Sequence, residues 1–245
     1  MASSRLFSSL LVISLLLLAI NASHSSFEQN NEIEVGNLGY NEKVNVSLYY
    51  ETLCPGCEHF IVNDLANLFK MKDLMAIINL HLVPYGNAKM DYHKNIVCQH
   101  GPHECYYNNI EACALDAWPL EKSFPFIFCV ETRLQQQFDE KIWVACSKNL
   151  KLDPKIIQSC YENGHGNQLI LKNANETAGL KPPHEYVPWV TVNNKPLYEK
   201  IDTLISEICN AYKGQGKPKS CKGEVTSSTE KASSKFAVCH DGMSL

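Results

Sequence analysis

Between Val44 and Tyr50 the chain alternates, with Val44, Val46, Leu48 and Tyr50 set against Asn45, Ser47 and Tyr49. A period of two predicts a strand with one buried face. Past a pair of cysteines, the apolar positions Cys57, Phe60, Ile61, Leu65, Leu68 and Phe69 recur at helical spacing and predict an amphipathic helix. The stretch AIINLHLVPY from Ala76 to Tyr85 is mostly apolar and reads as a second strand, expected to be central in its sheet. Strand, helix and strand with short joints predict parallel pairing.

From about Cys98 to Leu180 the pattern changes. Helix-compatible runs such as ECYYNNIEACALDAW and FPFIFCVETRLQQQF are expected to break at Pro119, Pro125, Pro154 and the Gly164/Gly166 pair, giving an insertion of several short helices. Alternation returns at Pro188 to Val192, turns at Asn193-Asn194 and resumes at Lys195 to Tyr198, the signature of a hairpin. Ile201, Leu204, Ile205, Ile208, Cys209 and Tyr212 then mark a closing helix. The element order describes an α/β domain over residues 44–212, a small sheet whose second and third core strands are separated by a helical insertion (about 98–180).

The flanks differ from this body. Arg5 followed by LFSSLLVISLLLLAI and the small residues Asn21, Ala22 and Ser23 reads as a cleaved signal peptide over 1–22. As a membrane anchor the run is short and interrupted by serines, and no later segment could span, so no stable membrane insertion is expected. Residues 23–43 are polar and aperiodic, a loose arm or propeptide; residues 213–245, rich in Lys, Ser and Gly, read as a disordered tail or propeptide.

With 245 residues, 45% of them hydrophobic, the chain can fill one substantial core. The net charge of −4 shows no basic footprint, so no nucleic-acid partner is expected. Without Arg5 and the lysine-bearing tail the body is more acidic still, and it would shed self-repulsion in an acidic compartment. The secretory route makes bridges the default fate of the 11 cysteines. An odd count leaves at least one thiol free, cycling or shared with a partner, a disulfide-linked dimer being one such outcome. Asn45-Val46-Ser47 and Asn175-Glu176-Thr177 are acceptor triplets for N-linked sugar; Asn45 falls inside a strand and Asn175 does not.

The chemistry concentrates in Leu53-Cys54-Pro55-Gly56-Cys57, at the joint between the first strand and helix. A helix starting near Cys57 turns its unpaired amides and positive dipole end toward Cys54, so Cys54 gains as a thiolate what Cys57, a turn inside, does not. Cys54 is therefore the expected nucleophile and Cys57 the resolving thiol. Pro55 fixes the backbone between them, and Gly56 leaves room for an incoming chain. An ordinary thiol of pKa about 8.5 is only roughly 0.03% thiolate at about pH 5. Lowering the pKa by about three units raises that fraction about a thousandfold against a nucleophilicity loss of about thirtyfold, so a helix terminus is most useful in acid.

Other readings of the pair are a zinc clip and a static bridge. Zinc needs two further ligands, and the richest supply, Cys98 to Cys105, matches no common zinc spacing; no metal or other cofactor is expected. A Cys54 to Cys57 bridge would close too short a loop to stabilise much. Pro188 opens a strand, where a proline needs special geometry. A cis Val187-Pro188 bond would present the Val187 backbone to a substrate strand beside Cys54, while an ordinary trans proline remains the alternative.

The stretch CQHGPHECYYNNIEAC, Cys98 to Cys113, resembles the signature C-Q-H-G-x2-E-C-x2-N-x4-C of the gamma-interferon-inducible lysosomal thiol reductase family at every fixed position. The resemblance runs from about Val44 to Tyr212, with CPGC at the family's redox position and Val187-Pro188-Trp189 at its cis-proline. It implies a thioredoxin-like fold with a helical insertion, and reduction of protein disulfides in an acidic compartment, either lysosome or vacuole, with secretion seen in some relatives. Disulfide-bonded proteins would be the substrates and a small thiol or other reductant the electron donor. Cys98, Cys105 and Cys113 would hold the cap through bridges, and Gln99, His100 and Gly101 would be structural, His100 also being a candidate to line the redox cleft. An oxidase or isomerase of the same fold, or a disulfide-rich binding protein with a silent pair, are the other functional readings.

Overall fold

The computed structural model describes residues 43–93, 95–222 and 237–240. The expectations for 1–42, the signal peptide and most of the arm, lie outside these residues.

Strand β1 (Val44–Tyr50) forms where the alternation predicts it, and Val44, Val46, Leu48 and Tyr50 are each at most 1% exposed. The chain then passes through Glu51-Thr52-Leu53 into α1 (Pro55–His59), which continues as a π-helical segment, Phe60–Leu65, into α2 (Ala66–Lys70). The wider π turn carries Ile61 and Leu65 to the same buried face as Cys57, Phe60 and Leu68. A short α3 (Lys72–Met75) leads to β2 (Ile78–Pro84), which pairs in parallel with β1, Val44 opposite Ile78 and Tyr50 opposite Pro84.

After β2, the two-residue strands β3 (Lys89–Met90) and β4 (Ile96–Val97) pair with each other. The insertion then supplies α4 (Pro102–Ala117), α5 (Leu120–Leu134), α6 (Ile142–Asn149), α7 (Pro154–Glu162) and α8 (His165–Ala178). Next come β5 (Tyr186–Val187), β6 (Trp189–Val192), β7 (Lys195–Pro196) and the closing helix α9 (Leu204–Ala211). The main sheet runs β2-β1-β6-β7, with β6 antiparallel to both β1 and β7. Asn193 and Asn194 both take positive φ in the tight hairpin turn, which an asparagine tolerates better than a branched residue.

Three expectations need correction. β2 is an edge strand of its sheet rather than a central one. Its apolar content is explained by α4 and α8 packing against it, so the edge is covered by the insertion instead of by another strand. Pro125 does not end a helix but sits inside α5. Burial of Phe124, Phe126, Ile127 and Val130 along the same helix outweighs the lost backbone bond. The tail expected to be disordered from 213 is ordered over its described parts: Lys219–Cys221 forms a 3-10 turn tied to α9 by Cys209–Cys221 and held by Ser220, whose N–H and hydroxyl both donate to Asp73 at 2.9 Å. Cys239–His240 forms a further strand, β8. The remaining tail residues lie outside those described.

The insertion is stapled by three bridges, Cys98–Cys105, Cys113–Cys160 and Cys129–Cys146. Cys98 and Cys105 are thereby bonded to each other, which takes these two sulfurs from the zinc alternative, while Glu51, His100 and Glu104 still bring three possible ligand atoms within 4.8 Å of one another.

Candidate active site

Cys54 is the N-cap residue of α1, with extended backbone (φ −83°, ψ 117°), Pro55 at the first helical position and the Glu58 N–H donating to the Cys54 carbonyl at 3.0 Å. The preceding Leu53 holds a positive φ of 64°, which turns the chain from the strand into the helix. Signature residues fix this approach. The Thr52 N–H donates to Asn108 Oδ1 at 2.9 Å and the Thr52 hydroxyl to the Glu104 carbonyl at 3.2 Å. Through Glu104 and Asn108, α4 thus braces the loop that carries Cys54.

Glu51 is fully buried and accepts from the Asn87 N–H at 2.6 Å; a side chain at Gly86 (φ +61°) would collide with it. His100 lies between two buried carboxyls, its Nδ1 2.9 Å from Glu104 Oε2 and 3.5 Å from Glu51 Oε1. Its Nε2 faces the sulfur of Cys239 at 3.9 Å, so His100 does line the redox cleft.

The Val187-Pro188 bond is cis, and Cys54 Sγ sits 3.9 Å from the Val187 carbonyl. The proximity of Cys54, Pro188 and Val187 that the sequence suggested is therefore present. The expected free thiolate is not. Cys54 Sγ is bonded to Cys239, and the residue is 0% exposed because Ala237 to His240 lie across it. Cys57 is the free cysteine, also buried. Burial pushes its thiol well above the ordinary range, the charge of Glu51 adds to that, and a backbone hydrogen bond from Glu51 opposes it.

Around the pair the core holds carboxyls that resist ionisation. Burial raises Glu58 to about 7, with His100 pulling the other way. Glu111 is raised to about 8, again by burial, although it accepts from the Tyr50 hydroxyl at 2.6 Å. Glu131 beside it is pushed well above the carboxylate range by burial and by the charge of Glu111.

The gamma-interferon-inducible lysosomal thiol reductase family model matches residues 45–150. The chain is 47% identical over 195 residues to an Arabidopsis thaliana gamma-interferon-responsive lysosomal thiol protein, covering 78% of this chain and 80% of that one. It is 41% identical over 185 residues to the gamma-interferon-inducible lysosomal thiol reductase of Mus musculus, covering 73% and 71%. The chain belongs to the gamma-interferon-inducible lysosomal thiol reductase family. It is a thiol–disulfide oxidoreductase on a thioredoxin-like fold. Reduced DsbA of Mycobacterium tuberculosis superposes with a TM-score of 0.50 at 18% identity, covering 73% of this chain and 86% of that one.

Among the expected sugar acceptors, Asn45 is exposed on β1 with its side-chain oxygen accepting from Asn79 Nδ2 at 3.1 Å, and Asn175 is exposed on α8. Neither approaches the cysteines of the redox site in any described contact. The residues that sequence reasoning missed in this family member are Glu51, Asn87 and Cys239. Cys239 carried a signal, being a cysteine in a segment otherwise read as unstructured; Asn87 carried none, since its role depends on a loop after β2 folding back beside Glu51.

Proposed function

We propose that the protein reduces disulfides of protein substrates by exchange at Cys54 and Cys57, in an acidic endolysosomal or vacuolar compartment reached through the secretory route. The thiolate of Cys54 attacks one sulfur of a substrate disulfide, forming a mixed disulfide and expelling the other sulfur as a thiol. Cys57 then attacks Cys54 Sγ, closing the pair and releasing the second substrate thiol. A small thiol or dithiol reductant returns the pair to its reduced state.

The observation that carries this reading is that Cys54 already forms a mixed disulfide with a strand docked on Val187, the arrangement a covalent substrate intermediate needs. The raised carboxyls Glu58, Glu111 and Glu131 favour an acidic setting, since all are neutral there and none must be ionised inside the core. Among the described residues no helix is long and apolar enough to cross a membrane.

The test is reduction of insulin disulfides at acidic and neutral pH by the wild type, Cys54→Ser and Cys57→Ser. Loss of turnover in both variants, with adducts accumulating on Cys57→Ser, is the expected result. Turnover that survives Cys54→Ser would overturn the assignment. Oxidation in place of reduction would be recognised by a measured potential well above that of thioredoxin-like reductants.

A further inference from the structure

The four residues Ala237 to His240 contact the redox site as a bound chain would. Cys239 is opposite Val187 and His240 opposite Tyr186 in an antiparallel pair, so β8 extends the free edge of β5. Asn87 Nδ2 donates to the Cys239 carbonyl at 2.8 Å, and Gln99 Nε2 to the His240 carbonyl at 2.8 Å. The Asn87 amide also donates to Gln99 Oε1 at 2.8 Å, which fixes the orientation of both side chains. Val238 packs with Tyr49, Val83, Tyr186 and Trp189, and the His240 ring meets Tyr186 edge to face. A side chain at Gly56 would collide with the Ala237 carbonyl, so the redox loop is cut to admit this backbone.

The side-chain hydrogen bonds that Asn87 and Gln99 make to this segment both go to its main chain, while Val238 and the His240 ring add apolar and ring contacts. We infer that Ala237–His240 is a tethered occupant of the substrate groove, holding the enzyme closed through Cys54–Cys239, and that Asn87 and Gln99 are the positioning residues that grip the backbone of any extended cysteine-bearing segment placed there. The inference rests on Cys54 being the exchanging thiol.

Release balances without an oxidant. Cys57 gives up its proton and its sulfur attacks Cys54 Sγ; the Cys54–Cys57 bond forms, the Cys54–Cys239 bond breaks, and Cys239 leaves as a thiolate that takes up the proton. A small dithiol then reduces the closed pair, becoming oxidised itself. A low-molecular-weight thiol opens the resting bond directly, two thiols giving one disulfide and leaving Cys54 and Cys239 reduced. The buried, protonated state of Cys57 keeps the internal route slow at rest.

A tethered segment competes at a millimolar effective concentration, so against a substrate at tens of micromolar it should suppress turnover by roughly tenfold or more. The experiment uses the full secreted chain, never pre-reduced. Non-reducing peptide mapping of the wild type should join Cys54 to Cys239. With an extended cystine-containing peptide as substrate, the wild type should show a lag on addition of a small thiol, and Cys239→Ser should begin roughly tenfold faster with no lag. In the Cys239→Ser background, Gln99→Ala should raise KM about threefold to tenfold, the worth of one hydrogen bond, with kcat and melting temperature unchanged. Equal initial rates with and without Cys239 would overturn the tethered occupant while leaving the reductase reading intact. A Gln99→Ala effect confined to kcat or to melting temperature would overturn the positioning role. Absence of turnover in both the wild type and Cys239→Ser would overturn the reductase reading, and this inference with it.

Discussion

The helical cap and the redox face both use cysteines in bridges, yet they use them differently. In the cap, both sulfurs of each bridge are carried by the insertion, as with Cys113 on α4 and Cys160 on α7, or Cys129 on α5 and Cys146 on α6. On the redox face one sulfur belongs to the loop beneath β1, and the other to a short strand 185 residues away that rests on the edge of β5. The first kind of bond closes a loop inside a packed layer and stabilises it. On the inference drawn above, the second joins the redox loop to a segment that a substrate chain can replace. Being bonded therefore does not distinguish a structural sulfur from an exchanging one; what carries the partner does.

The sharpest way to break this contrast is to remove one sulfur from each region. Cys54→Ser should lower turnover of a disulfide substrate by at least about a thousandfold, as expected when a covalent nucleophile is lost. Paired replacement of Cys113 and Cys160 by alanine should leave turnover per folded molecule within about twofold, read below the melting transition. Its cost should appear in stability instead. The bridge closes 47 residues, and on the chain-entropy account its loss is worth about 4 kcal/mol. For a chain of this size that is a fall of roughly 8–16 °C in melting temperature, measurable by calorimetry. A large loss of turnover without a loss of stability in the cap variant would erase the distinction.

A smaller effect separates the two regions by pH. Glu111 on α4 and Glu131 on α5 belong to the cap, and their raised values mean that the folded state binds protons more tightly than the unfolded chain. That stabilisation is fully present below the ordinary carboxyl range near 4.5 and is lost as pH rises through about 8 for Glu111. Glu58, beside the redox pair, adds the same sign up to about 7. Stability should therefore be greater at about pH 5 than at about pH 8, by on the order of 2 kcal/mol or roughly 4–8 °C. Replacing Glu111 and Glu131 together by glutamine should flatten that slope, as read from melting temperature against pH. A slope unchanged by the double substitution would contradict the burial assigned to these carboxyls.

The smallest expected effect concerns the two candidate sugar acceptors. If Asn175 carries a sugar, Asn175→Gln should remove one step in electrophoretic mass from the protein expressed in eukaryotic cells and change neither turnover nor the pH slope. The same substitution at Asn45, whose side chain is bonded to Asn79 within the sheet, should also cost a little stability.

Much of the fold was legible because its signals are local. The alternation of β1, the helical face from Cys57 to Leu68 and the Asn193-Asn194 turn each follow from neighbouring residues, and each appears where the pattern put it. The proximity of Cys54 to Val187, 133 residues apart, was suggested by the proline just before β6, and the family resemblance pointed to the same place. What failed was long-range. An apolar strand such as β2 looks the same whether another strand or a helical layer covers its edge. Pro125 looks like a break unless one knows how much of α5 is buried. The tail looked structureless because Ala237 to His240 have no periodicity of their own and take their conformation from β5, Asn87 and Gln99.

The most direct test of the exchange assigned to Cys54 is adduct mapping. Reduced protein carrying both Cys57→Ser and Cys239→Ser, mixed with a cystine-containing peptide at about pH 5 and quenched in acid, should yield one peptide adduct, located on Cys54 by mass spectrometry. An adduct on a cysteine of the cap, or none at all while the wild type still turns over, would contradict the account.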